Sequence, residues 1–124
     1  MPQWTADELA RIGAAEELQI ASRRSDGSLR RFTTIWTVRD GDDIYVRSAY
    51  GPQTAWFRRA VASGEGRIRA GGVERDVAFE RPGRQIDEAL HRAYHAKYDR
   101  YGPRIVATVV SDESAGLTLR LVPR

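Results

Sequence analysis

The stretch Tyr45–Val61, YVRSAYGPQTAWFRRAV, predicts the junction around which the rest of the chain is organised. It has the pattern of a strand that ends at Arg47-Ser48, a break at Gly51, and a helix that begins at Pro52. Proline suits the first helical position because its missing N–H would be unpaired there in any case. The free N–H groups of a helix start favour an anion. The pattern therefore predicts a corner for phosphate or carboxylate, although a plain strand–turn–helix junction with solvated arginines fits the same spacing.

The composition is that of one folded domain covering the whole chain. With 124 residues, 41% of them hydrophobic, the chain is long enough to bury a core without crosslinks. It has no cysteine, which excludes disulfides, thiolate metal sites and a cysteine nucleophile. No apolar run has the length of a membrane span, and the first residues lack a signal-peptide pattern. We therefore expect a cytoplasmic protein that does not associate with membranes.

The charge is weakly basic and comes almost entirely from arginine. The chain has 20 Lys and Arg residues against 17 Asp and Glu, and Lys97 is the only lysine. Arginine is suited to two-pronged contacts with oxyanions. The basic residues are spread along the sequence instead of being clustered, which argues against a dedicated nucleic-acid surface.

The first half of the chain predicts one short helix and three antiparallel strands. Thr5 and Glu8 have the spacing of a capping box, and the helix that they open should end near Gly13. The next strands form a predicted meander with turns at Ser25–Ser28 and Asp40-Gly41, and they cover Leu18–Arg24, Leu29–Arg39 and Ile44–Ala49. In the third strand, alternation puts Arg47 and Ser48 on opposite faces, which allows one of the two to face solvent only.

The second half adds helices and further hairpin strands. The predicted elements are a helix from Pro52 to about Ser63, two strands at Gly66–Ala70 and Val73–Phe79, a long helix at Gln85–Tyr101, a central strand at Ile105–Val110, a loop at Ser111–Gly116 and a last strand at Leu117–Val122. This gives about seven strands and three helices without the strand–helix alternation of a parallel sheet. The predicted fold is mainly β with helices (α+β), a small antiparallel split β-barrel.

Two familiar kinds of site are not expected. His91 and His95 lie four residues apart on the long helix, a spacing that can place two imidazoles on one metal ion. No glutamate follows His91, and no third ligand is evident, so we expect no metal and interpret this helix face as an aromatic packing surface. Ser48 is not in a Gly-x-Ser-x-Gly elbow and has no neighbouring base, so nucleophilic catalysis is not supported.

Donor side chains collect on the two strands that lead to the junction. Arg31, Thr33 and Thr34 belong to the strand expected to pair with the one that carries Arg47 and Ser48. Three aromatic residues, Trp36, Tyr50 and Trp56, add flat surface nearby. Arginine, hydroxyls and aromatic rings together suit a phosphorylated aromatic cofactor. The alternative is that the threonines serve strand formation and the tryptophans fill the core.

The run ASRRSDGSLRRFTTIWTVRDGDDIYVRSAYGPQTAWFRRAVASGEGRIRAGG, residues 21–72, resembles the core of the split-barrel proteins that bind FMN or the deazaflavin coenzyme. The nitroreductase-like branch has corresponding features in the same order; here they are Ser25-Asp26-Gly27, Arg31, Thr33-Thr34, Ser48–Gly51 and Trp56-Phe57. The whole chain is similar to a bacterial family known as domain of unknown function twenty-two fifty-five. That similarity is carried by the segments IWTV, YVRSAYG, WFRR, AYHAKY and LTLRLVPR.

The resemblance implies a homodimeric split barrel with a flavin or deazaflavin near the dimer interface. The implied function is that of a small oxidoreductase, in which the cofactor passes a hydride to a small-molecule substrate. The implied cofactor-binding residues are Arg31, Thr33, Thr34, Arg47, Ser48, Tyr50, Gly51, Trp56 and Arg59.

The chain departs from the nitroreductase-like pattern at several of these positions. Thr34 stands where that branch has proline, Arg59 stands where it has asparagine, and Arg23-Arg24 replaces its lysine-rich phosphate turn. These departures leave a second hypothesis, a dimeric ligand-binding or interaction domain of the same fold without a cofactor. In that case the corner should be apolar or blocked by the protein itself, for instance by Trp36 or Tyr50 in the position of the flavin ring.

Overall fold

The computed structural model describes residues 3–124, which form seven β-strands and five α-helices. In chain order the elements are α1 Ala6–Ala14, β1 Leu18–Ser22, β2 Thr33–Ile35, β3 Val38–Asp40, β4 Asp43–Arg47, α2 Ala55–Ser63, β5 Glu65–Ala70, β6 Val73–Glu80, α3 Asp87–Tyr98, α4 Pro103–Val110, α5 Asp112–Ala115 and β7 Thr118–Pro123. Single 3₁₀ turns precede and follow α3. No helix in this part of the chain is long and apolar enough to cross a membrane.

All seven strands belong to one antiparallel sheet with the order β2-β1-β5-β6-β7-β4-β3. Strands β2 and β3 lie at its two edges, yet only Trp36 and Thr37 separate them in the chain. The sheet must therefore curl until its edges approach each other, which gives a split half-barrel. This confirms the predicted α+β barrel, with more helices than expected.

The strand predicted at Leu29–Arg39 does not run unbroken. It bends at Trp36-Thr37, so that β2 pairs with β1 while β3 pairs with β4. The bend is held from the barrel side and from the helix side. The Thr37 hydroxyl donates to the Tyr45 carbonyl at 2.9 Å, and the Thr37 N–H donates to the Tyr98 hydroxyl at 3.2 Å. The two antiparallel pairings of the predicted meander are confirmed, but its middle strand is not continuous, because its two halves serve opposite edges of the sheet.

Two apolar clusters cover the two faces of the sheet. One fills the barrel and includes Ile44 and Val46, and the other lies under α3 and α4 and includes Tyr45. Alternation along β4 therefore points successive residues into different clusters. Arg47 and Ser48 continue this alternation, and both are buried, at 2% and 1% exposure. The expectation that one of them faces solvent only was wrong, because α3 and α4 cover the outer face.

Helix starts are decided by local hydrogen bonds. The capping box at α1 is confirmed, since Glu8 N–H donates to Thr5 Oγ1 at 3.0 Å and Thr5 N–H donates to Glu8 Oε1 at 2.9 Å. Helix α2 begins at Ala55, three residues after the predicted start at Pro52. The hydroxyl of Thr54 donates to the Gly51 carbonyl at 3.1 Å and holds the intervening residues in a turn.

The run Ile105–Val110, predicted as a central strand, is helix α4. Gly102 has φ of 98°, and Pro103 occupies the helix start, a combination that favours a new helix over a strand. Val106 and Val109, three residues apart, are buried, whereas Ile105 is exposed. The predicted loop after it contains α5, a single turn at Asp112–Ala115.

Strand β5 approaches β1 so closely at Gly66 that no side chain fits. An added Cβ would lie 2.0 Å from the Ala21 carbonyl oxygen and 2.9 Å from the Phe79 ring. We expect Gly66→Ala to lower the free energy of unfolding by about 1–3 kcal/mol or more, since the backbone has to shift. Urea unfolding monitored by tryptophan fluorescence measures the change.

Gly13 in α1 provides the matched control. Its added Cβ would meet only the Arg39 side chain, at 3.3 Å, and Arg39 is exposed and can move. Because glycine weakens a helix interior, Gly13→Ala should leave stability unchanged or raise it by about 0.5–1 kcal/mol. Equal losses for both variants would contradict the close approach at Gly66.

Candidate functional site

A cavity of about 350 Å³ opens where β2, the loop after β4, the start of α2 and helix α4 meet. Its walls are mainly aromatic and aliphatic, with several hydroxyls. The lining residues are Glu17, Thr33, Thr34, Ile35, Trp36, Arg47, Ala49, Tyr50, Thr54, Trp56, Ile105, Thr108 and Val109. The cavity thus brings together five of the residues predicted for the site: Thr33, Thr34, Arg47, Tyr50 and Trp56.

The aromatic walls of the cavity are fixed in different ways. Trp36 stacks on Tyr98 with ring centroids 3.9 Å apart and planes 6° from parallel. Trp56 packs edge-on against Phe57, which is buried in the barrel. Tyr50 is 83% exposed and stands at the rim. Neither Trp36 nor Tyr50 fills the cavity, so the corner is not blocked by the protein itself. Its mainly aromatic and aliphatic walls are the apolar form that the hypothesis without a cofactor also predicts.

Arg47 lines the cavity, but its N–H groups donate hydrogen bonds to acceptors within the protein. Its Nε donates to Thr118 Oγ1 at 2.9 Å, and its Nη1 lies 2.8 Å from both the Val109 carbonyl oxygen and His91 Nδ1. Its Nη2 is 3.8 Å from an oxygen of Asp87, a carboxylate that Arg84 also binds. Burial lowers the pKa of the Arg47 guanidinium, although it stays charged. Arg47 therefore offers the cavity a positive charge, with its hydrogen bonds already committed.

The contact with Arg47 determines the state of His91. A guanidinium only donates, so Nδ1 of His91 must accept and the ring proton must sit on Nε2. Burial lowers the pKa of His91, and the charge of Arg47 lowers it further. Asp87 and Asp112 oppose this effect. His91 is accordingly a neutral acceptor that positions a buried cation.

Tyr94, beside this network, has a polar atom without a partner. Its hydroxyl is the only buried side-chain polar atom in residues 3–124 that lacks a hydrogen bond. The Arg47 guanidinium lies 5.5 Å from the centre of its ring. Burial raises the pKa of Tyr94 above its ordinary value. The arginine is thus held by a π face as well as by acceptors.

Ser48 and Gly51 build the turn that shapes the cavity and do not line it. The Ser48 hydroxyl donates to the Gly51 carbonyl at 2.7 Å. Gly51 has φ of 88°, a left-handed conformation that glycine adopts without strain. The two residues hold the loop that carries Ala49 and Tyr50.

The free donors lie on the opposite wall. Among residues 3–124, no hydrogen bond engages the hydroxyls of Thr33 and Thr34, both of which are exposed. Next to them a narrow neck of about 10 Å³ is lined by Ile20, Ser22, Arg30, Arg31, Thr33, Trp56 and Arg59. Arg31 and Arg59, two more predicted site residues, are exposed at this neck.

The histidine pair does not form a common metal position. His91 contacts Arg47, whereas His95 Nδ1 lies 2.7 Å from Asp99. In the described part of the chain, no three His, Asp or Glu side chains are grouped in a way that could hold a metal ion.

The fold is that of the split-barrel proteins, as three solved structures show. They are a proposed pyridoxamine 5'-phosphate oxidase from Listeria innocua (TM-score 0.64, 13% identity, 94% of this chain and 90% of that one), an F420 reductase (0.54, 14%, 93% and 90%) and an FAD-binding protein from Mesorhizobium loti (0.53, 17%, 99% and 92%). At these identities the likeness shows the fold alone.

The chain belongs to the family described as "Uncharacterized protein conserved in bacteria (DUF2255)", which matches residues 8–121. This confirms the family resemblance found in the sequence. No curated protein matches the chain. The finer placement in the nitroreductase-like branch stays a prediction.

Protonation of His91 should weaken the fold. Its pKa in the folded protein lies below the ordinary value of 6.5, so the unfolded chain binds the proton more readily. The contribution of His91 is complete above that value and is lost as the pH falls below it. We expect His91→Gln, which keeps an acceptor for Arg47, to show a smaller loss of stability on acidification than the natural protein.

His95→Gln is the control, because it removes the only other imidazole and leaves the Arg47 contact intact. Urea midpoints across the acidic range, together with an NMR titration of the two histidine rings, measure the effect. If the urea midpoint of His91→Gln fell with pH as much as that of the natural protein, the loss of stability in acid could not be assigned to His91.

Proposed function

We propose that this protein is a small oxidoreductase that binds a flavin or deazaflavin in the cavity and passes a hydride between that ring and a small molecule. The observation that carries the proposal is the combination in one place of aromatic walls, uncommitted hydroxyls and unpaired arginines. Two of the similar structures support it by name, since one is an FAD-binding protein and another is an F420 reductase.

The cavity suits a flat heterocycle with a phosphate. Its volume of about 350 Å³ falls within the range of roughly 300–1,000 Å³ that small-ligand sites span. Trp36 and Trp56 offer aromatic surface, and Thr33 and Thr34 offer donors to the polar edge of a ring. The ring, when bound, would supply the hydride, and the protein supplies binding and orientation.

The neck offers the phosphate better partners than the strand–helix junction at which the sequence predicted an anion site. Arg47 and Ser48 are committed to internal partners, and α2 begins only after the Gly51 turn. Arg31 and Arg59 are exposed, and neither forms an ion pair with any group in residues 3–124. A phosphate held by them would make charge-assisted hydrogen bonds without breaking existing ones.

Arg47 acts on the ring through its charge. A buried cation at the wall of the cavity favours extra electron density on a ring bound beside it. The acceptors around it, His91, Thr118 and Val109, hold the guanidinium so that it need not reorganise. In this proposal Arg47 tunes the ring, and the neck arginines hold its phosphate.

The rim of the cavity also favours a second subunit. Tyr50 is 83% exposed and Ile105 is 49% exposed, and both line the cavity. A large aromatic and a branched aliphatic residue left in water at the same opening suit burial against another chain. In our proposal a second copy covers this rim and completes the site.

Titrations of arginine variants separate the binding of the phosphate at the neck from the electrostatic role of Arg47. Arg59→Met should weaken binding of FMN or of the deazaflavin coenzyme by roughly tenfold or more, the value of one charge-assisted contact. It should leave stability within about 0.5 kcal/mol, because the side chain is exposed. Absorbance and fluorescence titrations measure the affinities, and urea unfolding measures the stability.

Arg47→Met is the counterpart. It leaves buried acceptors unpaired and should lower the free energy of unfolding by at least about 1–3 kcal/mol. The proposal fails if the natural protein, folded and concentrated, leaves both cofactors unbound.

The dimer is tested by mass in solution. We expect a mass of two chains by light scattering, and a single chain for Ile105→Asp, since a charge at the rim opposes burial. Val61→Asp is the control, because Val61 is similarly exposed, at 44%, but does not line the cavity. A natural protein that stays monomeric at high concentration would refute the second-subunit proposal.

A further inference from the structure

A single carboxylate lies among the described residues that line the cavity. It belongs to Glu17, which is exposed and stands in the connection between α1 and β1. The first residue of β1, Leu18, pairs with Ile35, and Trp36 follows Ile35 in the chain. The register of the two strands therefore places Glu17 beside Trp36, on the aromatic wall and within reach of solvent.

The backbone beside Glu17 is anchored to the helices that cover the sheet. The Tyr98 hydroxyl lies 2.8 Å from the Glu16 carbonyl oxygen, and Trp36 stacks on the Tyr98 ring. Burial, with the charges of Glu16 and Glu17 adding to its effect, raises the pKa of Tyr98 to about 12. The negative charge of Glu17 therefore acts on the aromatic wall of the cavity.

The Glu17 carboxylate has no partner within residues 3–124. None of the ion pairs, and none of the hydrogen bonds to carboxylates, in this part of the chain involves it. The two cations that contact this corner are engaged elsewhere. Arg100 pairs with Glu16, and the Lys97 ammonium donates to the Thr37 carbonyl at 2.8 Å. Glu17 is therefore an uncommitted acceptor on the cavity wall.

The other charged residue of the cavity offers a ligand much less. The Arg47 side chain is fully buried, its N–H groups donate to internal acceptors, and its Nη2 lies 3.8 Å from Asp87. An anionic group of a ligand therefore finds no free guanidinium in the cavity, whereas a cationic group finds a free carboxylate beside aromatic rings. Carboxylates and aromatic faces are the two kinds of partner that attract organic cations.

We propose that Glu17 selects the small-molecule substrate, and that this substrate is an organic cation, a protonated amine joined to an apolar or aromatic body. The ammonium group binds the Glu17 carboxylate, and the body lies in the cavity beside the cofactor ring. As an identity for the hydride partner, this inference rests on the proposed function. The preference of Glu17 for a cation does not, because the carboxylate lines the cavity whether or not a ring is bound.

Three probes of similar shape test the preference. At neutral pH phenethylamine is a cation, phenethyl alcohol is uncharged, and hydrocinnamate is an anion. We expect the amine to bind about three- to tenfold more tightly than the alcohol, the value of one exposed ion pair with an aromatic neighbour, and the anion to bind most weakly. The net charge of +3 favours the opposite order, so general attraction to the protein cannot produce this result.

Two variants assign the preference to one carboxylate. Glu17→Gln keeps the shape of the side chain and removes its charge, so it should abolish the advantage of the amine and leave binding of the alcohol unchanged. Glu88→Gln is the control, since Glu88 is an exposed carboxylate of α3 outside the cavity and its loss changes the net charge equally. The indole N–H signals of Trp36 and Trp56, which line the cavity, report binding by NMR, and that of the buried Trp4 is the internal reference. Both substituted side chains are exposed, so the variants should fold, and their melting curves check this.

The outcomes separate this inference from the proposed function. If FMN or the deazaflavin coenzyme binds but the amine has no advantage over the alcohol, or keeps its advantage in Glu17→Gln, the substrate assignment is overturned while the proposed function stands. If Glu17→Gln weakens FMN binding as much as it weakens amine binding, the carboxylate contacts the ring instead, and the assignment is again overturned. If neither cofactor binds, the proposed function falls together with the hydride role of the cation, and the preference of Glu17 is then decided by the three probes alone.

Discussion

The architecture depends on the bend at Thr37. Two short strands at opposite edges of the sheet are joined by two residues, so the barrel closes only as far as this bend permits. Every polar group of Thr37 has a partner: its hydroxyl donates to Tyr45, its N–H donates to Tyr98, and its carbonyl accepts from Lys97 at 2.8 Å. Such satisfaction is what a buried backbone corner requires. The stacking of Trp36 on Tyr98 then turns the same bend into a wall of the cavity.

The positions of the arginines follow from this geometry. Arg47 leaves β4 on the outer face, where α3 and α4 surround it with acceptors, so it is a buried structural cation with an electrostatic influence on the cavity. Arg31, in the loop before β2, and Arg59, on α2, are exposed at the neck, where no carboxylate of residues 3–124 forms an ion pair with them. Burial and available acceptors, and not residue type, thus distinguish an arginine that supports the site from one that is free to bind an anion.

Local chemistry made much of the fold predictable. The Thr5–Glu8 box and the Gly71-Gly72 hairpin were read correctly, because each is decided by neighbouring residues. The run Ile105–Val110 was misread as a strand, since its uniform apolar character hides the three-residue spacing of Val106 and Val109. The start of α2 was misplaced because the hydroxyl bonds to Gly51 are not visible in a propensity pattern.

The candidate site was predictable in composition but not in its layout. Thr33, Thr34 and Trp56 line the cavity together, but not through the strand pairing that was expected, because Thr33 and Thr34 pair with β1 and Trp56 lies on α2. The role of α4 in the wall was missed along with its helical state. Glu17 was missed as well, because nothing in the sequence pattern indicates that the connection between α1 and β1 lies against the cavity.

The lysine at the bend has a consequence for chemical labelling. Lys97 is the only lysine of the chain, and burial lowers its pKa to about 8. A good fraction of its amine is therefore uncharged under mildly alkaline conditions, where lysines in water remain protonated. An acylating reagent applied there would find a single nucleophilic ε-amine, tied to the Thr37 carbonyl. The rate of its acylation would therefore measure how often the contact between Lys97 and the bend at Thr37 opens.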